Sequence, residues 1–95
     1  MSDPTPRRQR LKRVAAQQVE AERLLSTARH STMRAQVRLA SRDVDEALLW
    51  LNETDIDARP SILKIIDLLL DLASWRLTMV DSNLKTYGPG PKLIG

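Results

Sequence analysis

Ninety-five residues, a formal charge of +3 and 42% hydrophobic content describe one small domain. The chain has no cysteine, which excludes disulfides and thiolate metal sites. A chain this short buries only roughly 60–65% of the surface its unfolded form exposes, so its core is thin, and oligomerisation often completes such domains.

The net charge hides a split. Residues 1–42 carry ten Lys or Arg and three Asp or Glu, whereas residues 43–95 carry five and nine. A basic first half and an acidic second half attract each other, within one molecule or between copies.

Residues 1–5 read as a disordered start with no apolar run behind it, so the chain is expected in the cytoplasm. Thr5 then Pro6 reads as helix cap and first helical position. From there to Asn52 the chain has neither Gly nor Pro and is rich in Ala, Arg, Leu, Gln and Glu, which are strong helix formers. One helix over about 6–52, continuous or bent near 26–32, is predicted, with two helices in line as the alternative.

Within that helix, Arg7, Arg8, Arg10, Lys12 and Arg13 put five cations in seven residues. Such a cluster binds phosphates without sequence preference, so a nucleic-acid contact is one reading. The plainer readings are a solvated helix start or a clasp to acidic residues elsewhere in the chain. Behind the cluster runs a weak apolar stripe of Leu11, Val14, Ala21, Leu25 and Ala28, broken by Gln18.

The doubtful stretch is Ser26–Thr32, reading STARHST, where four hydroxyl residues in seven compete for local backbone bonds. The stripe also jumps by five there, from Ala28 to Met33. It then settles into Met33, Val37, Ala40, Val44, Ala47 and Leu51, with the three–four spacing of a helix seam from Val37 onward. Leu39 and Trp50 lie off that seam. They read as interface anchors, or, for Trp50, as a cap on the end of the core.

The connector Glu53–Arg59 is acidic and ends at Pro60, with Asp57 as a candidate cap. The last helix is expected over about 58–87 and is stopped by Gly88. Residues 88–95 read as a flexible tail.

On a helical wheel, Lys64, Asp67, Asp71, Ser74, Thr78, Asp81 and Lys85 cluster as a wet face. One apolar seam is Ile62, Ile66, Leu69, Ala73, Val80 and Leu84, extended on its other side by Leu63, Leu70 and Leu77. A second is Ile65, Leu68, Leu72, Trp75 and Met79, and Arg76 lies between the two. One neighbour needs an apolar stripe somewhat over 100° wide, and this arc is roughly twice that. Leaving the second seam wet would forgo about 1.5–3 kcal/mol per large side chain. It is therefore expected to meet a second copy or a client protein.

The expected fold is all-α: a long helical hairpin whose two copies form a four-helix bundle, with a three-helix bundle as the alternative. Arg76 reads as a snorkelling edge residue or as an interchain salt bridge setting dimer register. The stretch Ile62–Val80 holds Lys64, Asp67, Asp71 and Arg76, each costing about 2.5–3.5 kcal/mol at a bilayer centre, so no membrane span is expected.

Nothing in the pattern calls for catalysis, a metal or another cofactor. His30 is the sole histidine and lies in a polar stretch without an orienting partner. Asp67 and Asp71 are four apart, as a metal pair would be, but no histidine joins them. Asp55 and Asp57 lack the Gly and closing Glu of a calcium loop.

In its organisation from Pro6 to Tyr87, a helical hairpin with a charged arm, the chain resembles small all-helical bacterial regulators such as quorum-sensing antiactivators. The resemblance rests on no motif and implies no site residues. It implies a non-catalytic module that sequesters or inhibits a protein, plausibly a transcription regulator, through apolar helix surface. Interface candidates from the residues themselves are Ile65, Leu68, Leu72, Trp75, Arg76, Met79, Leu39 and Trp50. The alternatives are a small nucleic-acid-binding protein using the basic arm, or a structural subunit of a phage or secretion assembly.

Overall fold

A computed structural model describes residues 6–53 and 60–89. These form three helices, α1 (Pro6–Thr27), α2 (Ser31–Glu53) and α3 (Pro60–Tyr87), and no strand occurs among the described residues. Residues 1–5, connector residues 54–59 with Asp55 and Asp57, and tail residues 90–95 lie outside the described residues.

The expected continuous first helix is corrected: it is two helices, and residues 28–30 turn the chain back. The cause lies in the hydroxyl-rich stretch. Ser26 and Thr27 each direct the side-chain hydroxyl to the carbonyl of Arg23, at 2.8 and 3.0 Å, competing with the helix ladder. Arg34 donates to the carbonyls of Leu25 and Ala28, at 2.5 and 3.0 Å, placing a cation on the negative end of α1.

The start of α2 is capped as well. The Thr32 amide donates to His30 Nδ1 at 3.2 Å, and the amides of Arg29 and His30 donate to the carbonyl of Pro89 at 2.7 and 3.2 Å. Pro89 reaches them because α3 ends at Gly88, whose φ of 78° suits glycine and whose amide returns to the Leu84 carbonyl at 2.9 Å. The residue just past the end of α3 therefore satisfies the backbone amides left unpaired at this turn.

Side-chain pairs set the directions. Arg10 meets Asp67, Arg13 meets Asp71 and Arg23 meets Asp81, so α1 and α3 run parallel. Arg7 near Leu51 and Arg34 near Leu25 make α2 antiparallel to α1. The result is an up-down-up bundle of three helices rather than the favoured two-helix hairpin.

The core runs along the common axis. Val37, Ala40, Val44, Ala47 and Leu51 of α2 are fully buried at the three–four spacing read from the sequence, while Met33 is only partly buried. In α1 the buried set is Val14, Gln17, Ala21 and Leu24, with Leu11 and Leu25 packed at its edge and Ala28 buried just past its end. In α3 it is Ile62, Ile66, Leu70, Ala73, Leu77 and Val80. Leu70 and Leu77 take the central places expected for Leu69 and Leu84, which pack at the margin.

Gln17 is the one polar residue of the described core, and its amide donates to the Leu70 carbonyl at 3.0 Å while its Oε1 has no hydrogen-bond partner. No helix of the described chain is long and apolar enough to cross a membrane.

Candidate protein-contact face

Helix α3 has two flanks on either side of its buried stripe, and they are treated oppositely. The flank toward α1 is charged. Arg10 makes a bidentate pair with Asp67, both contacts at 2.8 Å. Arg13 reaches Asp71 at 2.5 Å, and Arg23 reaches Asp81 at 2.8 Å, with Lys85 on the other oxygen of Asp81 at 3.0 Å.

The hydrogen bond from Arg10 holds the Asp67 carboxyl below its ordinary range against the opposing effect of burial, and the same bond makes the Arg10 guanidinium hold its proton more tightly than usual. Asp81 is lowered in the same way, first by Arg23 and then by Lys85. The face expected to be solvated is thus partly a seam between helices. Asp67 and Asp71, weighed as a metal pair, are each engaged by an arginine.

These pairs also redefine the basic cluster. Arg7 donates to the Leu51 carbonyl at 2.6 Å, closing the C-terminal end of α2. Arg10 and Arg13 hold α3. Arg8 and Lys12 are exposed, and Arg8 also has an interaction within the chain. The structure does not gather the five cations on one open face.

The flank toward α2 is apolar and open. Ile65, Leu68, Leu72, Trp75 and Met79 are 41, 67, 42, 60 and 46% exposed. Leu39 of α2, 40% exposed, extends the same face. Its place follows from Gln36 and Asp43, three before it and four after it on one side of α2, which both meet Arg76.

Trp50 is partly buried against the core, and the connector it was read to cap lies outside the described residues. Arg76 is also partly buried. It donates to Gln36 Oε1 at 3.1 Å and lies 3.6 Å from Asp43 Oδ2. The acid expected from a second chain is therefore supplied by α2. That pair is beyond hydrogen-bonding distance, and Arg76 Nε and Asp43 Oδ2 are both buried without a hydrogen bond.

Toward the chain reversal this face deepens into a groove of about 330 Å³ between Met33 and Gln36 on α2 and Trp75, Arg76 and Met79 on α3. Sequence reasoning missed Met33, Gln36 and Asp43 as parts of this region. The signal available was Asp43 lying seven residues after Gln36, on the flank of α2 beside the buried seam.

No family model, no curated protein and no solved structure matches the chain.

Proposed function

We propose that the chain is a non-catalytic protein-binding module that sequesters or inhibits a protein partner through the open face of α3, as an antiactivator does to a transcription regulator. One observation carries this reading. Five large apolar side chains in line, with Leu39 beside them, stand 40–67% exposed on a bundle whose core is already filled. Single exposed apolar residues are ordinary, but a contiguous strip of this length marks a contact surface. Trp, Met and a flanking Arg are also the residue types enriched at protein interfaces.

The surface has room for a client helix or for a second copy that completes a four-helix layer. The nucleic-acid reading has less support, because Arg10 and Arg13 are held by aspartates of α3 and Arg7 by a backbone carbonyl.

The test is affinity capture from the native host with the wild-type chain and with Trp75→Glu. Proteins retained by the wild type and lost with Trp75→Glu are the expected result. Retention of the same proteins by both overturns the assignment of this face.

A further inference from the structure

We infer that the occupant of the open face is a second copy of this chain, its α3 lying antiparallel against the first α3 with Leu72 at the two-fold axis. This rests on the reading of the α3 seam as a contact surface: the second copy covers the seam at rest, and a client of the proposed function displaces that copy.

Spacing is the first argument. Positions 65, 68, 72, 75 and 79 repeat as three, four, three, four, which is the seam of one helix packed lengthwise on another. From Ile65 to Met79 it extends over about 21 Å of helix. The α3 residues buried within the bundle instead run four, four, three, four, three, so the two stripes are separate surfaces of one helix.

Area is the second. The six residues of the face are on average half exposed, which presents roughly 600 Å² of apolar side chain per copy against about 800 Å² per partner in a standard stable interface. The remainder is of the size that the rim of Met33, Gln36 and Lys64 supplies. A second copy thus accounts for the face without a further surface being invoked.

Charge is the third. Between Ile65 and Met79 the seam itself is uncharged. Its exposed edges carry both signs: Lys64 on α3, and Arg42 and Glu46 one and two turns beyond Leu39 on α2. A rim of one sign would specify a partner of the opposite sign, whereas a mixed rim is compatible with itself across a two-fold axis.

Shape sets the orientation. The seam is small at one end, Ile65 and Leu68, and bulky at the other, Trp75 and Met79. Antiparallel pairing sets the bulky end of each copy against the small end of the other, with Leu72 meeting its counterpart at the axis. Parallel pairing would stack Trp75 on its own counterpart and splay the helices. Antiparallel helices also oppose their dipoles favourably.

Light scattering of the full chain at tens of micromolar tests the assignment. The expected mass is twice the 10.8 kDa of one chain, falling to 10.8 kDa in Leu72→Glu and in Leu68→Glu. Both substitutions lie on exposed positions, and unchanged helical circular dichroism checks that each variant is folded. A wild-type monomer overturns the proposal, and so does a dimer whose mass neither folded variant alters.

Because the chain has no cysteine, single cysteines report orientation without background. Under mild oxidation a mixture of Ile65→Cys and Met79→Cys should form the mixed disulfide. Self-linkage of Ile65→Cys in preference to it overturns the antiparallel pairing. A monomer that still captures host proteins through Trp75 would remove the second copy and leave the binding function standing.

Discussion

The two flanks of α3 differ in how they meet the rest of the chain. Toward α1, three arginine–aspartate pairs zip parallel helices along their length. Toward α2, a single arginine is shared between Gln36 and Asp43, and beyond it the surface is apolar and open. The charged flank tolerates water, since its pairs are partly exposed and each contributes little on its own. The apolar flank gains only when water leaves it. One helix therefore carries a flank completed within the chain and a flank the chain leaves open.

The sharpest way to test that division is to truncate neighbouring leucines of α3 that face opposite ways. Leu70→Ala removes a fully buried side chain and should cost about 2–5 kcal/mol in denaturant unfolding. Leu68→Ala, on the open flank, should cost less than about 1 kcal/mol when the protomer is measured at high dilution. Equal losses would mean that Leu68 is buried within the protomer.

Asp43→Ala comes next. It leaves Arg76 half-buried without its acid, and a loss of about 1–3 kcal/mol is expected by the same measurement. Asp71→Ala, which removes a far more exposed carboxylate than Asp43, should cost under about 1 kcal/mol.

Gln17→Leu should act in the opposite direction. The amide of Gln17 donates to a carbonyl already inside a helix, and its Oε1 has no hydrogen-bond partner. An apolar replacement of similar volume should raise stability by about 1 kcal/mol, seen as a higher melting temperature. A decrease would show that this bond aligns α1 with α3.

The smallest effect is acid sensitivity of the charged flank. Asp67 and Asp81 are held below their ordinary range in the folded state, so their contribution is present above the unfolded value and is lost as pH falls through the folded value. Stability should hold from neutrality to about pH 4 and then decline, with a shallower decline in Asp67→Asn. An unchanged slope in that variant would remove Asp67 from the cause.

Much of this was legible in one dimension. The α2 stripe from Val37 to Leu51 is buried as its spacing predicts, because three–four periodicity needs only a helix and a neighbour. The separation of Ile65–Met79 from the rest of α3 was legible for the same reason. The chain reversal was visible only as an anomaly, a run of hydroxyls and a five-residue jump. Its caps come from Arg34 and Pro89, the latter nearly sixty residues from the amides it accepts.

The sequence by itself determined an all-helical chain and a last helix with more apolar surface than one neighbour covers. Tertiary structure alone decided which part of that surface the chain covers for itself. Once residues 28–30 turn back, α1 returns parallel to α3, and its arginines at 10, 13 and 23 engage the aspartates at 67, 71 and 81. That contact buries the arc of α3 lying between α1 and α2, so Leu70 and Leu77 become core while Leu68, Leu72 and Trp75 face outward. Periodicity states how many faces a helix has. The neighbour that reaches one of them first, here through charge at its edge, decides which one is left open.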